Sequence, residues 1–107
     1  MLFRSLAELL DELGCQTTAV PNGARARAEI ATKHFELLIA DMNLPDEDGT
    51  ALAQWARTLQ PTLPVAIASG RIDHAAVARI PGAIAMPKPF DTDDVMRLVA
   101  RAREAGK

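Results

Sequence analysis

The segment that decides the fold is the apolar run FELLIA at residues 35–40, which is followed directly by Asp41. A nearly continuous run of aliphatic side chains is typical of a strand that is buried on both faces of a parallel sheet. The run is followed by NLPDEDG at 43–49, whose proline, glycine and acidic residues indicate a loop. We therefore predict a buried strand at 35–40 that ends beside an aspartate.

On both sides of this run, helical and strand patterns alternate. Before it, leucines at helical spacing predict a helix that Gly14 ends, CQTTAV at 15–20 predicts a short strand, and the alanine-rich stretch 24–33 predicts a helix. After it, apolar spacing predicts three helices and two short strands, in the order helix 50–59, strand 65–68, helix 73–79, strand 83–86 and a last helix capped by Asp91. The pattern predicts an α/β fold, a doubly wound parallel sheet of four strands flanked by helices.

Composition narrows the class of protein. The 107 residues are enough for one domain, which we place at 1–107, and the hydrophobic and charged fractions of 49% and 24% are typical of a globular protein. A net charge of −2 argues against a nucleic-acid surface. No apolar run approaches the roughly 20 residues that span a bilayer. Cys15, the single cysteine, cannot form an internal disulfide. These features predict a cytoplasmic protein.

Three polar residues follow the predicted strands, namely Asp41, Ser69 and Lys88. In doubly wound sheets the binding crevice lies at the carboxyl ends of the strands, where these side chains would meet. A carboxylate can accept a phosphoryl group, and a lysine and a hydroxyl can bind its oxygens. Each residue alone could instead be an ordinary turn or surface residue, but the ordered set of three favours a phosphoryl site.

Three segments carry a resemblance to a known family: LLIADMNLPDEDG (37–49), PVAIASG (64–70) and AIAMPKPF (83–90). They resemble, in order, the signature stretches of receiver domains in two-component signalling. The opening stretch LFRSLAELLDELGCQTTAVPNGARA resembles the first helix and second strand of that family. The resemblance covers essentially the whole chain and implies the flavodoxin-like receiver fold.

The resemblance also implies a role for each site residue. Asp41 would accept a phosphoryl group from a histidine kinase or a phosphotransfer protein. Ser69 and Lys88 would bind the phosphoryl group, and Asp41 with the backbone carbonyl of Asn43 would hold Mg²⁺. Gly49 matches the glycine that ends the loop after the acceptor strand. The peptide bond between Lys88 and Pro89 is usually cis in the family, so we predict a cis bond here.

The sequence departs from the family at its front, because the first strand and the acidic pair that ends it are absent. We expect the Mg²⁺ site to be weakened or lost, since Asp41 and Asn43 are the ligands that remain. The missing strand would lie between 15–20 and 36–40, so the sheet must close the gap, borrow a strand from another molecule or stay poorly folded. An open or borrowed edge allows a homodimer through an exposed or exchanged strand. The acidic residues Asp46, Glu47 and Asp48 are predicted to form a solvated turn.

Three functions compete. The first is a receiver that is not itself an enzyme, accepts a phosphoryl group on Asp41 and signals through a partner surface. The second is a degenerate receiver that binds or dimerises without phosphorylation. The third is an aspartate-nucleophile phosphatase of the haloacid-dehalogenase type, which needs a second aspartate where this chain has Asn43. That mismatch makes the third reading weak.

Overall fold

The computed structural model describes residues 6–105. The described elements, in chain order, are α1 (Leu6–Glu12), α2 (Gly23–Thr32), β1 (Leu38–Asp41), α3 (Gly49–Leu59), β2 (Val65–Ser69), α4 (His74–Ala78), β3 (Ile84–Pro87) and α5 (Thr92–Ala105). The part of the predicted first helix that precedes Leu6 lies outside the described residues. None of the helices within 6–105 is long and apolar enough to cross a membrane.

The strands form a parallel sheet in the order β1-β2-β3. Every residue of β2 is buried, as expected for the central strand of a sheet covered on both faces. Alternate residues of β1 enter different cores: Ala40 belongs to the cluster under α2 and α3, and Ile39 packs against the cluster under α1 and α5. The predicted α/β class, with a parallel sheet between two helical layers, is confirmed.

The predicted strand at 15–20 does not form, so the described sheet has three strands instead of the predicted four. The segment carries β-branched residues, but no described strand lies beside it to receive its backbone hydrogen bonds. A strand needs a neighbour, because its N–H and C=O groups are satisfied only across the ladder. The prediction was wrong at this point because local propensity cannot supply the missing partner.

The start of β1 also differs from the prediction. Phe35 lies before the strand, and its backbone N–H and C=O are both bonded to the side-chain amide of Gln60, at 3.2 and 2.9 Å. The ladder begins where the N–H of Leu38 donates to the carbonyl of Pro64 at 2.9 Å. The apolar run is therefore longer than the paired strand. At Phe35, the first residue of the run, the Gln60 side chain takes the hydrogen bonds that a neighbouring strand would otherwise make.

The predicted helix ends are confirmed. Gly14, two residues after the end of α1, has a φ of 88°, and the N–H of Cys15 donates to the carbonyl of Leu10 at 3.0 Å. The helix therefore ends in a left-handed cap that satisfies this carbonyl. Before α5, Asp91 Oδ1 accepts from the N–H of Asp94, whose carboxylate accepts in return from the N–H of Asp91. This reciprocal pair fixes where α5 begins.

Candidate functional site

The centre of the site is an ion pair between two strand ends. Asp41 is the last residue of β1, and Lys88 directly follows β3, on the far side of the central strand β2. The ammonium of Lys88 reaches across that edge and donates to Asp41 Oδ2. Both side chains are more than a third exposed, at 43% for Lys88 and 38% for Asp41. The pair is therefore open to an incoming group.

The protonation of Asp41 is set by opposing effects. Partial burial raises the pKa of its carboxyl group. Hydrogen bonds from the Lys88 ammonium and from the Asn43 N–H, together with the charge of Lys88, lower this pKa by more than burial raises it. The net result is a pKa below the ordinary value of an aspartate. Asp41 is thus a carboxylate at neutral pH, which is the form that a nucleophile requires.

Ser69 ends β2, next to both members of the ion pair along the sheet edge. Its side chain is 3% exposed, and its hydroxyl donates to the carbonyl of Arg71 at 2.9 Å and accepts from the N–H of Arg71 at 3.1 Å. Its own carbonyl accepts from the N–H of Lys88 at 2.8 Å. The structure therefore brings the three predicted residues to one edge, with the hydroxyl held in a local turn.

The peptide bond between Lys88 and Pro89 is cis, as predicted.

On the other side of the site, the N–H of Asn43 donates to Asp41 Oδ1 at 3.0 Å, so Asn43 holds one carboxylate oxygen while Lys88 holds the other. The loop that begins at Asn43 closes on β1, because the N–H of Gly49 donates to the carbonyl of Met42 at 2.9 Å. A Cβ at position 49 would lie 2.0 Å from the carbonyl oxygen of Asp41, which accounts for the glycine there.

As predicted, the acidic turn is exposed to solvent at Asp46 and Asp48, but its carboxylates also bind other parts of the chain. Both carboxylate oxygens of Asp46 accept from the first N–H groups of α2, at Gly23 and Ala24, over 2.8 and 2.9 Å. These bonds lower the pKa of Asp46 despite slight desolvation. Asp48 caps α3 by accepting from the N–H and the hydroxyl of Thr50. The sequence did not indicate these hydrogen bonds, because the partners of Asp46 lie 22 and 23 residues away along the chain.

Glu47 completes a connection that sequence reasoning missed. Its carboxylate accepts two hydrogen bonds from Arg27 of α2, at 2.7 and 3.0 Å, and the guanidinium of Arg27 lies 4.9 Å from the ring centre of Trp55 on α3. We call Asp46, Glu47, Arg27 and Trp55 the loop clamp, because they tie the loop after Asp41 to α2 and α3.

A divalent cation would find a limited set of ligands here. Within residues 6–105, no group of three or more histidine, cysteine, aspartate or glutamate side chains is placed to hold a metal ion. The Asp41 carboxylate and the Asn43 carbonyl are hard oxygen donors of the kind that Mg²⁺ accepts, and this cation commonly keeps several waters. The donors present therefore fit a Mg²⁺ that is held by few protein ligands.

The fold and the site together define a doubly wound α/β protein with an aspartate–lysine pair at the carboxyl edge of its sheet. Comparison with known proteins adds the family. Residues 1–100 match the model of the response regulator receiver domain. The chain belongs to this family, and the resemblance found in the sequence is confirmed.

Individual relatives agree with this assignment. The DNA-binding transcriptional regulator NtrC of Escherichia coli (strain K12) is 37% identical over 100 residues, which cover 91% of this chain and 21% of that protein. This chain thus spans about a fifth of the length of the curated relative. Among solved structures, the BeF3-activated receiver domain of nitrogen regulatory protein C has a TM-score of 0.79 at 31% identity, covering 95% of this chain and 85% of that one.

A more distant structure supports the fold alone. A CheY-like receiver domain protein from Methanospirillum hungatei JF-1 has a TM-score of 0.85 at 20% identity and covers 92% of this chain and 82% of its own.

Proposed function

We propose that the chain is a phosphoacceptor of a two-component phosphorelay, which takes a phosphoryl group on Asp41 from a histidine kinase or a phosphotransfer protein and signals through a partner surface. The observation that supports this most is the contact between the Asp41 carboxylate and the Lys88 ammonium at the open edge of the sheet. The family is that of two-component receivers, and this pair supplies the nucleophile and a cation for the transferred group. We place the protein in the cytoplasm, as the composition predicts.

The site geometry supports the following transfer. An oxygen of Asp41 attacks the phosphorus of a phosphohistidine, the new O–P bond forms as the P–N bond breaks, and the imidazole leaves with the electron pair and is protonated by solvent. Lys88 moves from the carboxylate to the phosphoryl oxygens, whose charge it neutralises. The hydroxyl of Ser69 then exchanges the carbonyl of Arg71 for a phosphoryl oxygen.

We further propose that the Asp41 carboxylate and the Asn43 carbonyl would hold a Mg²⁺ at this site. When bound, it offsets the repulsion between the anionic carboxylate and the phosphoryl group. Lys88 supplies the positive charge that belongs to the chain itself. Because residues 6–105 supply few protein ligands, we expect their affinity for Mg²⁺ to be low.

The chain acts here as an acceptor and not as an enzyme with turnover. The alternative, a degenerate receiver that binds partners without phosphorylation, has less support because Asp41 and Lys88 are in direct contact. A homodimer through an exposed strand remains compatible with either function, because the outer edge of β1 is not paired with a described strand.

The first prediction tests the acceptor. With Mg²⁺ and acetyl phosphate as a small donor, intact-mass spectrometry should show a gain of one phosphoryl group, and Asp41→Asn should abolish that gain because an amide is not a nucleophile toward phosphorus. Asp93→Asn is the matched control, since Asp93 is an exposed aspartate of α5 outside the site. Phosphorylation that persists in Asp41→Asn, or none in the unmodified chain at saturating donor, would contradict the proposal.

A further inference from the structure

A small cavity lies at the amino-terminal edge of the sheet, where the starts of β2 and β3 meet the second half of α5. It measures about 180 Å³, and Val65, which begins β2, and Ile84, which begins β3, both line it. Asp41 and Lys88 lie at the opposite, carboxyl edge. The length of β2 separates the two edges by roughly 13 Å, from four steps of about 3.3 Å. The cavity is therefore distinct from the phosphoryl site.

Two guanidinium groups line this cavity, and no carboxylate of a described residue does. Arg57 of α3 is fixed in place, because its Nε donates to the carbonyl of Leu63 at 2.6 Å and its Nη1 to the carbonyl of Pro81 at 2.7 Å. Arg101 of α5 is exposed and makes no hydrogen bond or ion pair within residues 6–105. Since a carbonyl carries no net charge, the two positive charges at the cavity are not neutralised by the described part of the chain.

The floor of the cavity is apolar. It consists of the buried side chains of Val65, Leu98 and Ala102 and the partly buried side chain of Ile84. These side chains offer no hydrogen bond, so water on the floor lacks partners on that side. The volume is comparable to that of a dry apolar cavity of about 150 Å³ that binds benzene in another protein. The cavity can therefore hold one six-membered ring or a branched aliphatic group.

The charged rim and the apolar floor together define the ligand. A guanidinium binds a carboxylate through two parallel N–H···O bonds, which are stronger than hydrogen bonds between neutral groups. The hydroxyl of Thr62 also lines the cavity and can donate a further bond. An inorganic anion would leave the apolar floor in contact with water, and a neutral hydrocarbon would leave the two cations without a counter-charge. The cavity therefore favours a carboxylate on a compact apolar body.

We propose that this cavity binds a small aromatic or branched aliphatic carboxylate, with the carboxylate on Arg57 and Arg101 and the apolar body on the floor. Because Arg57 holds one carbonyl from the loop before β2 and one from the loop before β3, the bound carboxylate would lie where these loops meet α5. The proposal does not rest on phosphorylation, so Asp41→Asn should bind the ligand as the unmodified chain does.

An amide NMR titration of the full chain at constant ionic strength tests the proposal. The ligand is benzoate at up to about 20 mM, since a single ring with one charge is expected to bind in the millimolar range. Saturable shifts should appear at the amides of Gly82, Ile84 and Ala102, and the amide of Asp41 should change little. Acetate, which has the charge without the ring, and benzyl alcohol, which has the ring without the charge, should each bind at least about tenfold more weakly.

A chain variant adds a second arm. Arg101→Gln removes one guanidinium and should weaken benzoate binding by about tenfold. Because Arg101 is exposed and makes no bond to another described residue, the variant should keep its fold, which its amide spectrum without ligand verifies. Arg25→Gln is the matched control, since Arg25 is an exposed arginine of α2 that does not line the cavity.

Three results would each overturn the proposal. The first is the absence of saturable benzoate shifts around the cavity. The second is binding of acetate or benzyl alcohol as tight as that of benzoate, because the ligand would then need only one of the two features. The third is equal affinity of Arg101→Gln and Arg25→Gln for benzoate. If Arg101→Gln does not fold, the comparison of the three ligands decides.

Discussion

At the scale of single residues, the site depends on how Asp41 is held. One carboxylate oxygen accepts from Lys88 and the other from the N–H of Asn43, so both are oriented at the edge of the sheet. Asp41, Ser69 and Lys88 were found from sequence because each directly follows or ends a recognisable strand. The roles of Asp46 and Glu47 were not found, since their partners lie on α2.

The second prediction concerns Lys88. Lys88→Ala removes a hydrogen bond and a positive charge that lower the pKa of Asp41, while the partial burial that raises it remains. The pKa of Asp41 should therefore rise, as followed by carbon-13 NMR titration, and the rate of phosphorylation should fall by about 10²-fold. Lys33→Ala is the control for loss of a lysine outside the site. An unchanged Asp41 titration would show that the ion pair is not formed in solution.

The third prediction concerns pH. The pKa of Asp46 is lower in the folded chain than its ordinary 3.8, so its bonds to α2 contribute stability above that value, and the contribution is lost as pH falls through the folded pKa. In Asp46→Asn, the loss of unfolding free energy below about pH 4 should be shallower than in the unmodified chain. Urea titrations at several pH values measure this dependence of the unfolding free energy on pH. Asp93→Asn, which removes an equal charge elsewhere, should change the dependence less.

At the scale of the elements, the carboxyl ends of the strands are shaped by short contacts in the loops that follow them. The loop from Asn43 to Asp48 closes through the bond from Gly49 to Met42 and then starts α3 with Asp48 as its cap. This closure brings Gly49 against the carbonyl of the acceptor residue. The loop and the strand therefore position Asp41 together.

The fourth prediction tests the close contact between Gly49 and the carbonyl of Asp41. Gly49→Ala would place a Cβ 2.0 Å from the carbonyl oxygen of Asp41, which is backbone and must shift. Unfolding free energy should fall by about 1–3 kcal/mol, the usual cost of overpacking, and the amide shifts of Asp41 and Met42 should move. Gly70→Ala is the matched control, because a Cβ there meets nothing within 4 Å. Equal stability of the two variants would contradict the close approach.

At the scale of the whole molecule, the loop clamp joins parts that are distant in sequence. Arg27 of α2 contacts both Glu47 of the acceptor loop and Trp55 of α3. A displacement of the loop would therefore change the contacts of both helices. The side chains of Arg27 and Glu47 are 37% and 19% exposed. Because they are partly buried, salt screens their attraction less than it screens an ion pair on the open surface.

The fifth prediction measures this coupling. A double-mutant cycle of Arg27→Gln and Glu47→Gln, followed by urea denaturation, should give an interaction energy of about 0.5–1 kcal/mol. The pair of Lys33 and Glu29 at the end of α2, which is the more exposed of the two pairs, is the control and should give about 0.3–0.5 kcal/mol. A cycle energy no larger than that of the control would mean that the clamp does not hold the loop in solution.

The sequence by itself determined the α/β class, the order of the helices and of the three paired strands, and the residues at the strand ends. These features follow from local patterns: apolar periodicity, helix caps such as Asp91, and the rule that parallel strands end at one edge. Only the tertiary structure decided whether 15–20 becomes a strand and which groups bind the carboxylates of the acidic turn. It also decided which edge of β1 is paired with another strand. Each of these depends on groups that are distant along the chain or on whether a strand lies alongside, and a local pattern carries no information about either.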